Sequence, residues 1–109
     1  MTKAAAVPAL DMRAMRRHSH SAGALLKALG NPHRLLILCV LADGERSVGE
    51  LNELVALSQS ALSQHLAVLR EERLVTTRRE AQTIFYRLAE GPAMKVIQVL
   101  HDHYCGVRG

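Results

Sequence analysis

The sequence predicts a mostly α domain with one small β-hairpin, in the order ααααββα. Apolar residues recur at helical spacing in five segments between Met12 and Cys105. They alternate with a period of two only between Thr76 and Leu88. The chain has 109 residues and three aromatics, so it accommodates one domain with an aliphatic core. At 49% hydrophobic and 22% charged residues, it has the make-up of a folded globular chain rather than a disordered one.

Residues 1–11 carry no apolar periodicity and read as a flexible tail. The folded domain is expected over 12–105, with 106–109 as a short C-terminal tail. The first helix runs from Met12 to Leu29. Gly30-Asn31-Pro32 then breaks the chain. Gly30 suits the C′ position, Asn31 caps the next helix, and Pro32 fits its first turn. Leu35, Leu38, Cys39 and Ala42 fall at i, i+3, i+4, i+7, which predicts a buried stripe containing Cys39. Asp43-Gly44 closes that second helix. Ser47-Val48-Gly49-Glu50 forms a capping box that opens the third, with Val48, Leu51 and Val55 on one face. Ser58-Gln59-Ser60 opens the fourth, which reaches about Glu72 with Leu62, Leu66 and Leu69 inward. Thr76–Arg79 and Thr83–Leu88 read as strands around a Glu80-Ala81-Gln82 tip. The last helix follows Pro92, with Ala93, Val96, Ile97, Leu100 and Tyr104 on one stripe.

Composition removes several function classes. The longest apolar run, Leu35 to Ala42, is far short of the ~20 residues that span a bilayer. Arg13, Arg16 and Arg17 follow the apolar N-terminal residues instead of preceding them, the wrong order for a secretory signal. A cytoplasmic chain with reduced thiols and no membrane partner is therefore expected. Two cysteines are too few for a disulfide scaffold. With no Cys-x-x-Cys and no βαβ pattern, a thiol-disulfide enzyme is not expected, and no other catalytic motif or cofactor signature is present.

Two short helices joined by a tight turn and followed by a basic hairpin form a winged helix-turn-helix order. The exposed face of the fourth helix carries small hydroxyls and amides rather than a Glu/Lys mixture. Such side chains let a helix sit deep in a major groove and reach base edges. The candidate duplex-contacting residues there are Ser58, Gln59, Ser60, Ser63, Gln64 and His65. Arg70, Arg78, Arg79 and Gln82 are placed for phosphates or the minor groove. Residues 58–87 hold five Arg against three Glu, so positive charge gathers on the reading segment. A solvated polar helix would share the composition of the fourth helix alone; the combination with the basic hairpin favours DNA. Scarce aromatics favour duplex over single strands, which are bound largely by stacking.

SQSALSQHLAVLREERLV, Ser58 to Val75, resembles the recognition-helix signature of the ArsR family of bacterial repressors. LLKALGNPHRLLIL, Leu25–Leu38, resembles that family's first-to-second helix junction, and RREAQTIFYRL, Arg78–Leu88, its wing. The resemblance covers residues ~20–105. It implies a transcriptional repressor that is a homodimer through its first and last helices and binds an imperfect inverted repeat. One position departs: Arg73 stands where the family usually has Gly, so either Arg73 adopts positive φ or the helix ends differently.

The resemblance also frames what the chain senses. The metal-thiolate members carry Cys-x-Cys in the third helix, where this chain has Glu50-Leu51-Asn52-Glu53-Leu54. His101 and His103 lie at i, i+2 and point apart, so no metal site is assigned and no cofactor is expected. From the residues alone, two readings stand equal: a redox pair, or Cys39 as a small core residue with Cys105 as a spare thiol near the chain end. Their positions resemble the BigR/SqrR/HlyU-type branch. That implies a disulfide or polysulfide link between Cys39 and Cys105, formed by persulfides and other reactive sulfur species. A metal-responsive repressor and an activator that displaces a silencer are the alternatives on the same fold.

Overall fold

The computed structural model describes residues 9–106. The expected tails, 1–11 and 106–109, fall mostly outside them. Five helices surround a three-stranded antiparallel sheet: α1 Met12–Leu29, α2 Pro32–Ala42, β1 Arg46–Ser47, α3 Val48–Leu54, α4 Gln59–Glu71, β2 Val75–Glu80, β3 Thr83–Leu88 and α5 Pro92–Cys105. The strand order is β1-β3-β2. The winged helix-turn-helix reading holds, with one strand added. At two residues, β1 is too short to carry a period. It exists because the extended approach to the third helix pairs with β3, Arg46 opposite Tyr86 and Ser47 opposite Phe85.

Local chemistry places the helix boundaries. Asp11 caps α1 by accepting from the Ala14 amide. The Asn31 carboxamide accepts from the amides of His33 and Arg34, and Pro32 follows at N1. Ser47 and Glu50 complete the capping box of α3. Gly30 ends α1 at φ −78, so it does not use the left-handed region. Space explains it better, because a Cβ there would lie 3.1 Å from the Leu26 carbonyl oxygen. The Arg34 Nε and Nη2 donate to the Ala28 and Lys27 carbonyls at 2.8 and 3.1 Å. That satisfies carbonyls at the end of α1 that lack helical partners and clasps the 89° corner between α1 and α2.

The core is aliphatic. Ile37, Leu38 and Leu41 of α2 meet Leu51, Leu62, Leu66, Leu69 and Ile97, with Tyr86 the one aromatic among the buried residues. Its hydroxyl accepts from Arg70 Nη1 at 3.0 Å, so the buried phenol is satisfied. The α2 stripe is rotated from the expected one. Ile37, Leu38 and Leu41 form it, while Cys39 is exposed at its edge. Likewise Tyr104 does not continue the α5 stripe: it is 78% exposed, and Ala93 and Ile97 are the residues α5 buries. No single described helix is long and apolar enough to cross a membrane. The bent α1–α2 pair meets the length and composition test together, but α2 forms the core.

Arg73 resolves the departure noted above by taking φ 61. Its amide donates to the Arg70 carbonyl at 3.0 Å and the Leu74 amide to the Leu69 carbonyl at 2.9 Å, the paired bonds of a Schellman ending. Leu74 thereby drops into the core and starts the wing. A non-glycine residue in this region carries a strain of roughly 1 kcal/mol. Arg73→Gly is expected to stabilise the domain by about 1 kcal/mol and raise its melting temperature by roughly 4–8 °C, measured by calorimetry.

Candidate nucleic-acid interface and thiol pair

Helix α4 presents the residues the sequence singled out. Ser58 sits at its N-cap, where the hydroxyl accepts from the Ala61 amide at 3.1 Å. Gln59, Ser60, Ser63 and Gln64 are all exposed, while Leu62, Leu66 and Leu69 anchor the opposite side. The amide and hydroxyl face is therefore presented by a helix fixed along its length. His65 is half-buried, its ring 5.7 Å from that of His33 at the start of α2. Burial, then the charges of Arg34 and His33, lower its pKa below the ordinary histidine value.

The wing behind α4 is a hairpin closed by Ala81 and Gln82, with Glu80 opposite Thr83. Ala81 adopts φ 56, as a two-residue turn of this kind demands. The three arginines proposed for DNA have different surroundings. Arg70 ties α4 to β3 through Tyr86. Arg78 donates from Nε and Nη2 to both carboxylate oxygens of Glu45, at 2.9 and 2.8 Å, and lies over the Phe85 ring. Arg79 is exposed and has no hydrogen-bond or ion-pair partner among the described residues. Gln82 is exposed at the tip. The Arg78–Glu45 pairing escaped the sequence reading because the two residues are 33 apart and their meeting depends on sheet register. Tyr86 as partner of Arg70, and His33 as neighbour of His65 across the α2–α4 contact, were hidden because they too join residues far apart in sequence.

The two thiols are free and exposed. Cys39 borders a shallow cavity of about 270 Å³ between α2 and α5, beside Met94, Gln98 and His101. Partial burial and then the nearby charge of Cys105 raise the Cys39 pKa. The fold thus sets the two thiols, 66 residues apart in sequence, on the packed helices α2 and α5 without joining them. His101 and His103 are exposed, and the His103 ring meets Tyr104 edge-on at 4.6 Å. Among the described residues, no group of three or more His, Cys, Asp or Glu side chains gathers as a metal site.

Residues 31–77 match the family described as bacterial regulatory protein, arsR family. The chain is 52% identical over 96 residues to the transcriptional activator HlyU of Vibrio cholerae, covering 88% of this chain and 89% of that protein. It is 47% identical over 96 residues to the biofilm growth-associated repressor of Agrobacterium fabrum, covering 88% and 82%. The chain belongs to the arsR family. The crystal structure of the transcriptional repressor BigR from Xylella fastidiosa superposes with a TM-score of 0.81 at 40% identity, covering 89% of this chain and 99% of that one. This arsR-family chain is accordingly a DNA-binding transcriptional regulator on a winged helix-turn-helix fold, not an enzyme.

The lowered pKa of His65 has a sign that can be measured in this arsR-family domain. The unfolded chain takes up the proton before the folded one as pH falls. The neutral ring's contribution to stability is therefore full above about pH 6.5 and lost as pH drops through the lower folded value. Between pH 7.5 and 5, the melting temperature of the parent chain is expected to fall more than that of His65→Gln. Parallel curves in thermal scans would remove His65 as a contributor.

Proposed function

We propose that this regulator is a homodimeric repressor whose operator affinity is set by a covalent link between Cys39 and Cys105. The observation that carries the reading is an exposed thiol on each of two packed helices, with Cys39 lining a shallow cavity against α5. Two kinds of relative support opposite regulatory signs, since one is named an activator and another a repressor. Displacement of a silencer through the same DNA site is the second reading, and promoter position distinguishes them.

The thiols have different roles. Cys39, with its raised pKa, holds less thiolate at neutral pH and suits the resolving step. Cys105 is the first attacker. Its thiolate takes the outer sulfur of a low-molecular-weight persulfide, releasing that carrier as a thiolate and leaving Cys105 persulfidated. The Cys39 thiolate then attacks the inner sulfur, Cys105 Sγ, and expels the outer one as hydrosulfide, leaving a disulfide. If both thiols are persulfidated first, the same condensation leaves three sulfurs between the residues and again expels hydrosulfide. Reduced thiols in a cytoplasmic compartment are the starting state.

The link would act on DNA through the dimer. Helix α1 exposes Met12, Met15 and Leu26, and α5 exposes Val99, so both terminal helices offer apolar faces to a second copy. In the dimer the two α4 helices must match half-sites about 34 Å apart. Tying α2 to α5 alters that spacing. Ser58, Gln59, Ser60, Ser63, Gln64 and His65 read or flank bases, while Arg70, Arg79 and Gln82 approach the backbone. Arg78 stands on the same wing strand, but its guanidinium is engaged by Glu45 instead.

The deciding experiment is a duplex titration of reduced and persulfide-treated protein. Cys39→Ser and Cys105→Ser are expected to bind DNA as the reduced parent does and to lose the persulfide response. A retained response in both variants would refute the thiol switch. Separately, Arg79→Ala is expected to weaken binding evenly across sequences and to reduce the salt slope by about 0.9, the contribution of one phosphate contact.

A further inference from the structure

Glu45 lies just beyond the end of α2 and reaches across the sheet to the wing. Strand order puts β3 between β1 and β2, and the register sets Ser47 opposite Phe85 and Phe85 opposite Arg78. Side chains at these positions share one face, because alternate residues along a strand point the same way. Glu45 therefore meets Arg78 diagonally over β3. The contact is bidentate, at 2.8 and 2.9 Å, and the guanidinium carbon sits 4.3 Å above the centre of the Phe85 ring. A third, longer contact runs from Nη1 to Glu80 at 3.5 Å. Arg78 is thus held by a carboxylate on one side, an aromatic ring beneath and a second carboxylate beyond.

An ion pair with side chains 50% and 30% exposed contributes little to global stability. Fork-to-fork geometry instead fixes orientation. The residues joined are informative: one belongs to the loop leaving α2, the other to the first strand of the wing. On the opposite face of the sheet, Arg70 and Tyr86 tie the wing to α4. The wing is thereby held by a side-chain tie on each face, and of these two ties the Glu45 one is anchored outside the reading helix. The hydrogen bonds from Arg78 also keep the Glu45 carboxyl below the usual carboxylate range, so the tie persists at neutral pH.

We propose that Glu45 is a positioning residue for DNA binding. By holding Arg78 it sets the angle at which the wing delivers Arg79 and Gln82 to the duplex, and it keeps Arg78 off the phosphates. This rests on the reading of the wing as a DNA contact. It differs from simple competition, in which Glu45 would only mask a cation. Loss of a mask frees Arg78 for phosphate, tightens binding and steepens the salt slope by about 0.9. Loss of a positioning tie weakens binding without adding a phosphate contact.

The test uses a duplex selected from random sequence by the parent protein, titrated across a salt series. The proteins are the parent chain, Glu45→Gln, Arg78→Lys, the double variant and Arg79→Ala. Arg78→Lys keeps the charge and removes the fork. Glu45→Gln and Arg78→Lys are each expected to weaken binding about threefold to fivefold, with the double variant no weaker than either. Their salt slopes are expected to equal the parent's, and their melting temperatures to stay within a few degrees. Unchanged or tighter binding by Glu45→Gln, or a slope steeper by about 0.9, overturns the positioning role. If Arg79→Ala loses its phosphate contact while Glu45→Gln is neutral, only this inference fails. If Arg79→Ala keeps the parent slope, the wing reading itself fails and the inference with it.

Discussion

Ile37, Leu38 and Leu41 put one side of α2 fully out of water, and every other helix and β3 pack against α2. This eleven-residue helix is the hub of a domain with few large side chains to spend. A core built from leucine, isoleucine, valine and alanine gains its stability from close packing of many small contacts. Such a core has little tolerance for displacement of its central member. What moves α2 therefore moves the reading helix, the wing and the terminal helices together. Cys39 stands at the edge of the hub, off the buried stripe but on the side facing α5. That is where a thiol can be reached by a reagent and still act on the core.

Polar contacts do a different job here from the core. Arg34 closes the α1–α2 corner, Arg70 joins α4 to the wing, and Arg78 joins the wing to the loop after α2. Each arginine links two elements and places a planar, multi-donor group where direction matters. None is fully buried, so none carries the desolvation cost of an interior charge. Their combined effect is to fix angles between elements that hydrophobic contact alone leaves loose. For a DNA-binding regulator that has to present one helix and a wing together, angles are the functional quantity.

The conformation of Arg73 shows how a left-handed helix ending is kept without glycine. Backbone geometry at the end of α4 is dictated by the need to bury Leu74 and begin β2. The left-handed turn is therefore imposed from both sides, and the residue there accepts modest strain. Ala81 at the wing tip repeats the pattern. The two strained positions flank β2, which carries Arg78 and Arg79, so the path of the wing is set by its anchor points and not by local preference.

Caps and periods were legible in the sequence because they are local. Asn31-Pro32, Ser47 with Glu50, and Ser58 each mark a helix start through bonds made within three residues. The helices, the hairpin and the inward leucines of α4 follow from them, and so does the exposed polar face of α4. What the sequence could not determine depends on encounters between distant residues. A two-residue strand has no period, so β1 exists through its pairing with β3. Helical spacing allowed stripes centred one residue apart on α2, and packing against α4, α5 and β3 selected the one that leaves Cys39 outside. The Glu45–Arg78 tie and the placing of Cys39 against α5 required register and crossing angles. These are set by how apolar faces fit together, a property of the assembled core that no short stretch of chain carries.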